Sequence, residues 1–578
     1  MICASEQAGA RGERDLSSVS LLWGLAAVTD AQASQMLVQM GIPQSALQEA
    51  IASFVSCENP RQLPEATLTL EARTATERAY LLARDLGDKQ IGSEHFLLAF
   101  TREPESSDAG RMLAQLGVTW ERAGQSLMSV QTDRTQMPAG VSFPGLGLRR
   151  FTVQAKAAAT RAKQLAYALT HYRQPFMPYL LFRKRTTDNP YPFYARLRRD
   201  PFYWDALIKQ WVVTSYQDVA AVLAEPRFSH QQFTLSSWGI EEPPPVVGRE
   251  FRRLNSSMGR QMLFLDAPEQ TRQRSLVAKQ FTPRVIARLQ DQIQEITDSL
   301  LDSAAPKGRM DVIADLAFPL PATVIAQMLG VPADEAPQFK KWSDDFIAYI
   351  GGATTLTQDL AAYLSLDDLH DYFRTALALR RDQPQEDVMT LLLQAESEGE
   401  RLTEEEIIAN CLLLLAAGHE TTTQLIGNGL LALLRHPEQL EKLRADPTKI
   451  GPAVEELLRY DSPVQWTSRV TREAFTWRGH EFASGQMVSI ALASANRDPT
   501  QFPEPDYLDI TRAENRHMAF GTGPHFCLGA SLARMEGQIA LGTLLTRFPH
   551  LRLEQPNVQW TGNFTFRALR SLPVRWTP

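Results

Sequence analysis

The longest coherent hydrophobic pattern runs from Leu402 to Arg435, where apolar residues dominate and polar ones gather at the start and near the middle. Thr403 stands as an N-cap with Glu406 three residues on, a capping box, and Pro437 supplies the stop. The pattern predicts a helix of about 32 residues, roughly 48 Å long at 1.5 Å per residue, enough to cross a whole domain. Its centre, Leu414-Leu415-Ala416-Ala417-Gly418-His419-Glu420-Thr421-Thr422, breaks the apolar run. A Glu and a Thr there are costly to bury without partners, and Gly418 costs about 1 kcal/mol against Ala. Three adjacent departures suggest a functional notch.

The first 130 residues hold a degenerate repeat. Ser18 to Leu25 lines up with Ser93 to Phe100 at an offset of 75, and Met36 to Ile42 with Met112 to Val118 at an offset of 76. Such a repeat implies one helical unit used twice, each half covering the other's apolar face. Between the copies, Ala75, Ala79, Leu82, Ala83 and Leu86 recur at helical spacing and Gly87 ends the run. Further on, Trp211-Val212-Val213-Thr214 is a short β-rich run, followed by a helix through Asp218 to Leu223.

Composition narrows the class. A chain of 578 residues with 44% hydrophobic content supports more than one core. The net charge of −7 gives no reason to expect nucleic acid. Four cysteines (Cys3, Cys57, Cys411, Cys527) without a CxxC fit a reducing compartment. With no apolar run of about 18 residues and no signal-peptide core, the expectation is a cytoplasmic protein without a transmembrane anchor. Residues 145–185 carry nine Lys and Arg and no acid, beside the apolar patch Phe176 to Phe182. That composition suits rest on an anionic membrane surface. The charges lack a single face, so a connector helix with solvated charges is the favoured expectation.

The chemistry concentrates near the C-terminal end, in Phe520-Gly521-Thr522-Gly523-Pro524-His525-Phe526-Cys527-Leu528-Gly529, with the helix-like Ala530 to Glu536 directly after it. Three glycines around one cysteine permit tight, positive-φ turns close to a bulky flat partner. A helix starting after Cys527 would favour a thiolate there, the axial ligand that pushes electron density onto haem iron. The spacing F-G-x-G-x-H-x-C-x-G resembles the haem loop of the cytochrome P-450 family. That resemblance implies Cys527 as the iron ligand, with Phe520, Gly521 and Gly529 shaping the loop.

Further segments resemble the family in the same order, over residues 186–578. Asp266-Ala267-Pro268-Glu269-Gln270-Thr271-Arg272-Gln273-Arg274 is similar to D-x-P-E-H-x-x-x-R, whose His and Arg hold haem propionates; Arg274 matches, while Gln270 replaces the His. An amide still donates a hydrogen bond but carries no charge. Arg469 resembles the second propionate arginine, with His525 a further donor. Glu420 and Thr421 match the acid–alcohol pair of A-G-x-[DE]-T-T. Glu456 and Arg459 match E-x-x-R, and Arg512 resembles the third member of that ion network, all three expected to be structural. The implied fold is mainly α with small β-sheets at one side.

Ile91-Gly92-Ser93-Glu94-His95-Phe96-Leu97-Leu98 resembles the signature of the Clp ATPase N-terminal domain, an all-α double repeat that docks adaptors and unfolded clients. Glu94 and His95 open a helix there, where Glu suits the dipole and His a cap, in preference to a metal site. The expected organisation is a Clp-like domain at 18–130, a basic linker at 131–187 and a P-450 catalytic domain at 188–578.

Together the resemblances imply a haem b (iron protoporphyrin IX) monooxygenase acting on a small hydrophobic substrate. The chain shows no flavin or iron–sulfur module, so electrons would come from a ferredoxin or flavodoxin with its NAD(P)H reductase. Two alternatives stand beside this: a peroxide-driven peroxygenase, and a non-catalytic haem sensor or scaffold working through a protein partner of the Clp-like domain.

Overall fold

A computed structural model describes residues 15–27, 32–43, 93–130, 183–230, 256–332 and 356–576 with short interruptions, and a few positions between these ranges. They fall into two compact units, one N-terminal and one holding everything from residue 183 on. Most of the basic linker lies outside the described residues.

The N-terminal unit is built as the repeat demands. Helices Ser18–Ala27 and Gln32–Gln39 match Ser93–Arg102 and Asp108–Gln115, and Trp120–Val130 comes after the second pair. Equivalent residues of the two copies share one core: Leu22 with Leu97, Met36 with Met112, Leu37 with Leu113. The copies also exchange caps. The Ser93 hydroxyl accepts from the Ala33 N–H at 3.1 Å, and the Ser18 hydroxyl accepts from the Ala109 N–H at 3.4 Å. Each copy therefore satisfies an orphan donor at the start of the other's second helix. Ala72, Ala75, Ala79 and Leu82 are buried in the same core, while Ala83 and Leu86 lie outside the described residues. A two-residue parallel pairing of Asp15–Leu16 with Thr67–Leu68 adds a strand element that the helical periodicity did not signal. His95 is not an exposed cap: it is fully buried, 3.4 Å from the carboxylate of Glu94, which is also buried.

The catalytic unit is organised around the helix Glu404–Arg435, which has the expected 32 residues and both hydrogen bonds of the Thr403–Glu406 capping box. It is buried along nearly all its length, as suits a helix apolar on every side. Gly418 has a packing reason. A Cβ there would stand 2.9 Å from Ile325 Cγ1 of helix Pro319–Leu329, so the glycine lets the two helices approach closely. The helix runs unbroken through the expected notch.

To one side lies a five-stranded sheet in the order Phe202–Asp205, Gln210–Val213, Met487–Ile490, Thr467–Thr471, Phe228–Ser229. Its strands are short and rich in Val, Trp and Phe, the residues that fit a half-buried pleated surface. The sheet carries Arg469 on the strand Thr467–Thr471, paired with Val488. Helix Arg183–Asp188 also belongs to this unit: Arg567 donates to the carbonyls of Thr187 and Asp188 at 2.8 and 3.1 Å. The last residues of the expected linker are thus part of the catalytic unit.

Candidate active site

The cysteine loop is a closed backbone structure. The Cys527 N–H donates to the Phe520 carbonyl at 2.9 Å, and the Phe526 N–H to the Gly523 carbonyl at 3.0 Å. Gly521 and Gly523 turn the chain at φ of 68° and 75°, the left-handed region that Cβ-bearing residues avoid. Gly529 differs from that expectation, with φ of −85° as the N-cap of helix Ala530–Arg547. Nothing lies within 4 Å of where its Cβ would be, so the backbone beside the sulfur is open to a close neighbour. Burial pushes the Cys527 thiol up, against the Gly529 N–H, Arg274 and Arg534, which act to lower it. The helix terminus alone does not hold a thiolate there; bonding to a metal would.

Helix Glu269–Val277 braces this loop. Gln270 donates from its amide to the Pro524 carbonyl at 2.9 Å, and the Arg274 guanidinium donates to the Phe526 carbonyl. The residue that replaces the family histidine therefore turns to the loop backbone.

Above the loop sits a cluster of cationic and imidazole groups. Arg469 is buried, donates only to the Ser468 carbonyl at 2.8 Å and the Thr467 hydroxyl at 3.4 Å, and makes no ion pair among the described residues. Burial pushes its pKa down to about 9, with Asp266 acting the other way. The His525 ring is pushed down to about 4 by burial and by Arg469. Against it, at 4.2 Å between ring centroids, lies His230, which no motif singled out.

On the long helix, the Thr421 hydroxyl donates to the Ala417 carbonyl at 3.1 Å. Glu420 accepts from the Gln424 amide at 3.1 Å, and the Gln424 oxygen accepts from the Leu569 N–H at 3.1 Å. Ala417 is exposed although its helix is otherwise deeply buried. Gln424 is a second residue that sequence reasoning missed; its i+4 spacing from Glu420 was the available signal.

Glu456, Arg459 and Arg512 come together at the core. Arg459 forks onto Glu456 with two bonds of 2.8 Å, and Arg512 joins the same carboxylate at 3.1 Å. Arg459 also donates to the carbonyls of Asn496, Pro505 and Tyr507, so every part of this network is answered within the protein.

These residues fit haem on structural grounds. A sulfur with open backbone beside it suits the iron. A buried guanidinium without a carboxylate suits a propionate, since an unpaired buried charge is costly. Apolar surface at Phe526, 41% exposed, suits the porphyrin face.

The "Cytochrome P450" family model matches residues 246–566, and the "Clp repeat (R) N-terminal domain" model matches residues 2–116. The chain is 41% identical over 389 residues to the "Biotin biosynthesis cytochrome P450" of Bacillus subtilis (strain 168), covering 67% of this chain and 96% of that protein. It is 40% identical over 398 residues to "Cytochrome P450 monooxygenase PikC" of Streptomyces venezuelae, covering 67% and 91%. Among solved structures, P450BioI in complex with hexadec-9Z-enoic acid ligated acyl carrier protein superposes with a TM-score of 0.63 at 40% identity, covering 68% of this chain and 100% of that one. The chain belongs to the cytochrome P450 family of haem monooxygenases and carries a Clp repeat domain ahead of its catalytic unit.

Proposed function

We propose that residues 188–578 insert one atom of dioxygen into a small hydrophobic organic substrate, with electrons from a ferredoxin or flavodoxin and its NAD(P)H reductase. When bound, haem supplies the reductive activation of dioxygen. Cys527 ligates its iron. Arg469, His525, Arg274 and Gln270 face or brace the propionate side, while Phe520, Gly521 and Gly529 shape the loop. Glu420 and Thr421 deliver protons: the Thr421 hydroxyl, which donates to the Ala417 carbonyl in this structure, would turn to hand one on, and the Glu420 carboxylate, oriented by Gln424, would resupply it. Glu456, Arg459 and Arg512 hold the region beneath.

The observation that carries this reading over peroxide-driven chemistry is the intact pair of neighbours Glu420 and Thr421, each anchored to a residue one turn away on an unbroken helix. The acyl chain and biosynthetic context named for relatives put fatty acyl and polyketide chains first in a substrate panel. Residues 18–130 are assigned to docking a protein partner, and the expected linker 131–187, apart from its last residues 183–187, to connecting the units, in the cytoplasm. Among the described residues no helix is long and apolar enough to cross a membrane.

The test is turnover under oxygen-18 gas with a reconstituted ferredoxin and reductase, using ligands that shift the ferric spin state. The reading predicts product carrying one labelled oxygen. Product formed only with added peroxide, or no product from any ligand that shifts the spin state, would contradict it.

A further inference from the structure

We infer that His230 supplies the imidazole donor to a haem propionate that Gln270 cannot. The inference rests on the haem-thiolate reading and concerns a residue outside every motif of that reading.

The sequence departs from the family at Gln270, and the structure turns this side chain away, with its amide donating to Pro524. The aspartate that opens the same motif does something else. Asp266 accepts from the His230 N–H at 3.0 Å and from the Ser229 hydroxyl, fixing the end of strand Phe228–Ser229. That contact presents the His230 ring to His525 at 4.2 Å between centroids. His230 is buried, with 6% of its surface exposed, yet neither ring nitrogen hydrogen-bonds to a described residue. Ser229 pairs with Val470 on the neighbouring strand, which brings Arg469 to the position beside His230, and Arg469 has no carboxylate bonded to it among the described residues.

His230 and Arg469 are buried and His525 is half-buried, and neither imidazole ring hydrogen-bonds to a described residue, so the three form a site for a carboxylate. Buried polar groups without partners are costly, and an anion here would answer all three. Burial beside Arg469 and His525 holds His230 neutral at pH 7, which still leaves one N–H to donate. One aspartate thus positions an imidazole from the strand, and the helix position four residues after it has passed to an amide that braces the cysteine loop.

The experiment measures haem transfer from the full-length holoenzyme to an excess of a haem-scavenging apoprotein, for the parent, His230→Phe, Gln270→His and the double variant. Phe keeps the ring against His525 and removes the donor. A hydrogen bond to a charged group predicts transfer faster by roughly ten- to a hundredfold in His230→Phe. Gln270→His should recover most of that loss in the double variant, with thermal midpoints of all four within a few degrees. Unchanged transfer in His230→Phe would overturn the proposal, as would faster transfer with a lowered midpoint and no recovery by Gln270→His. A parent lacking a thiolate-type spectrum would instead sink the haem-thiolate reading itself.

Discussion

Two buried charge clusters lie within the catalytic unit, and they differ in how the charge is answered. Around Glu456 the cations Arg459 and Arg512 meet a carboxylate and five carbonyls, so the network closes on itself. Around Arg469 the cation meets one carbonyl and one hydroxyl, with two imidazoles beside it and no carboxylate in contact among the described residues. A closed network holds a fold; an open one holds a ligand of opposite sign. The contrast separates residues that sequence motifs alone place side by side.

The largest effect should come from opening the closed network. Arg459→Leu leaves Glu456 buried without its bidentate partner, and removing one member of a buried pair costs about 3–5 kcal/mol. Urea denaturation tracked by far-ultraviolet circular dichroism should show that loss, and a loss under about 1 kcal/mol would place the network on the surface. Arg469→Leu should act differently. It removes a desolvated cation, so the same unfolding transition should move little, while haem transfers out at least tenfold faster, one charge-assisted bond having gone. Equal destabilisation by both variants would erase the distinction between the clusters.

A smaller effect is expected at the helix crossing. Gly418→Ala places a methyl 2.9 Å from Ile325 Cγ1 and should cost about 1–3 kcal/mol by overpacking. Ile325→Val should relieve part of it by removing Cδ1, which stands 3.2 Å from the new methyl, although Cγ1 stays. Full stability in Gly418→Ala with loss of turnover alone would return the glycine to a purely functional role.

The smallest effect concerns a buried acid with no cation. Glu536 lies on the helix after Cys527, and burial pushes its pKa up to about 8, with the Thr422 hydroxyl acting to lower it. The folded state therefore holds a proton that the unfolded chain releases at about pH 4.3. Between those values the native state binds more protons, so this group's contribution is full below the unfolded pKa and fades as pH rises through about 8. Glu536→Gln should flatten the decline in thermal midpoint between about pH 4.5 and about 8. An unchanged pH profile would mean that Glu536 is ionised and solvated.

Much of this was legible in the chain because the signals were local. The capping box Thr403–Glu406 needs only i,i+3 spacing, and the loop around Cys527 needs only its glycines and the helix-forming run from Ala530. The repeat aligns Ser18 with Ser93, but that each serine caps the other copy's second helix shows only in the structure. The features that were not legible depend on long-range contact. Gly418 reads as a functional departure until Ile325, on another helix, is seen against it. His230 carries no motif, and its role emerges only when Asp266 and His525 converge on it. The left-handed turns were right for Gly521 and Gly523 and wrong for Gly529, which caps a helix with ordinary φ. His95 looked like a helix-end polar residue because sequence carries no direct mark of burial.

The sulfur of Cys527 decides the account. Haem-loaded protein reduced under carbon monoxide should give the absorption band of a thiolate-ligated ferrous complex, and Cys527→Ser should abolish that band. A histidine-type band in the parent, left unchanged by the substitution, would contradict it.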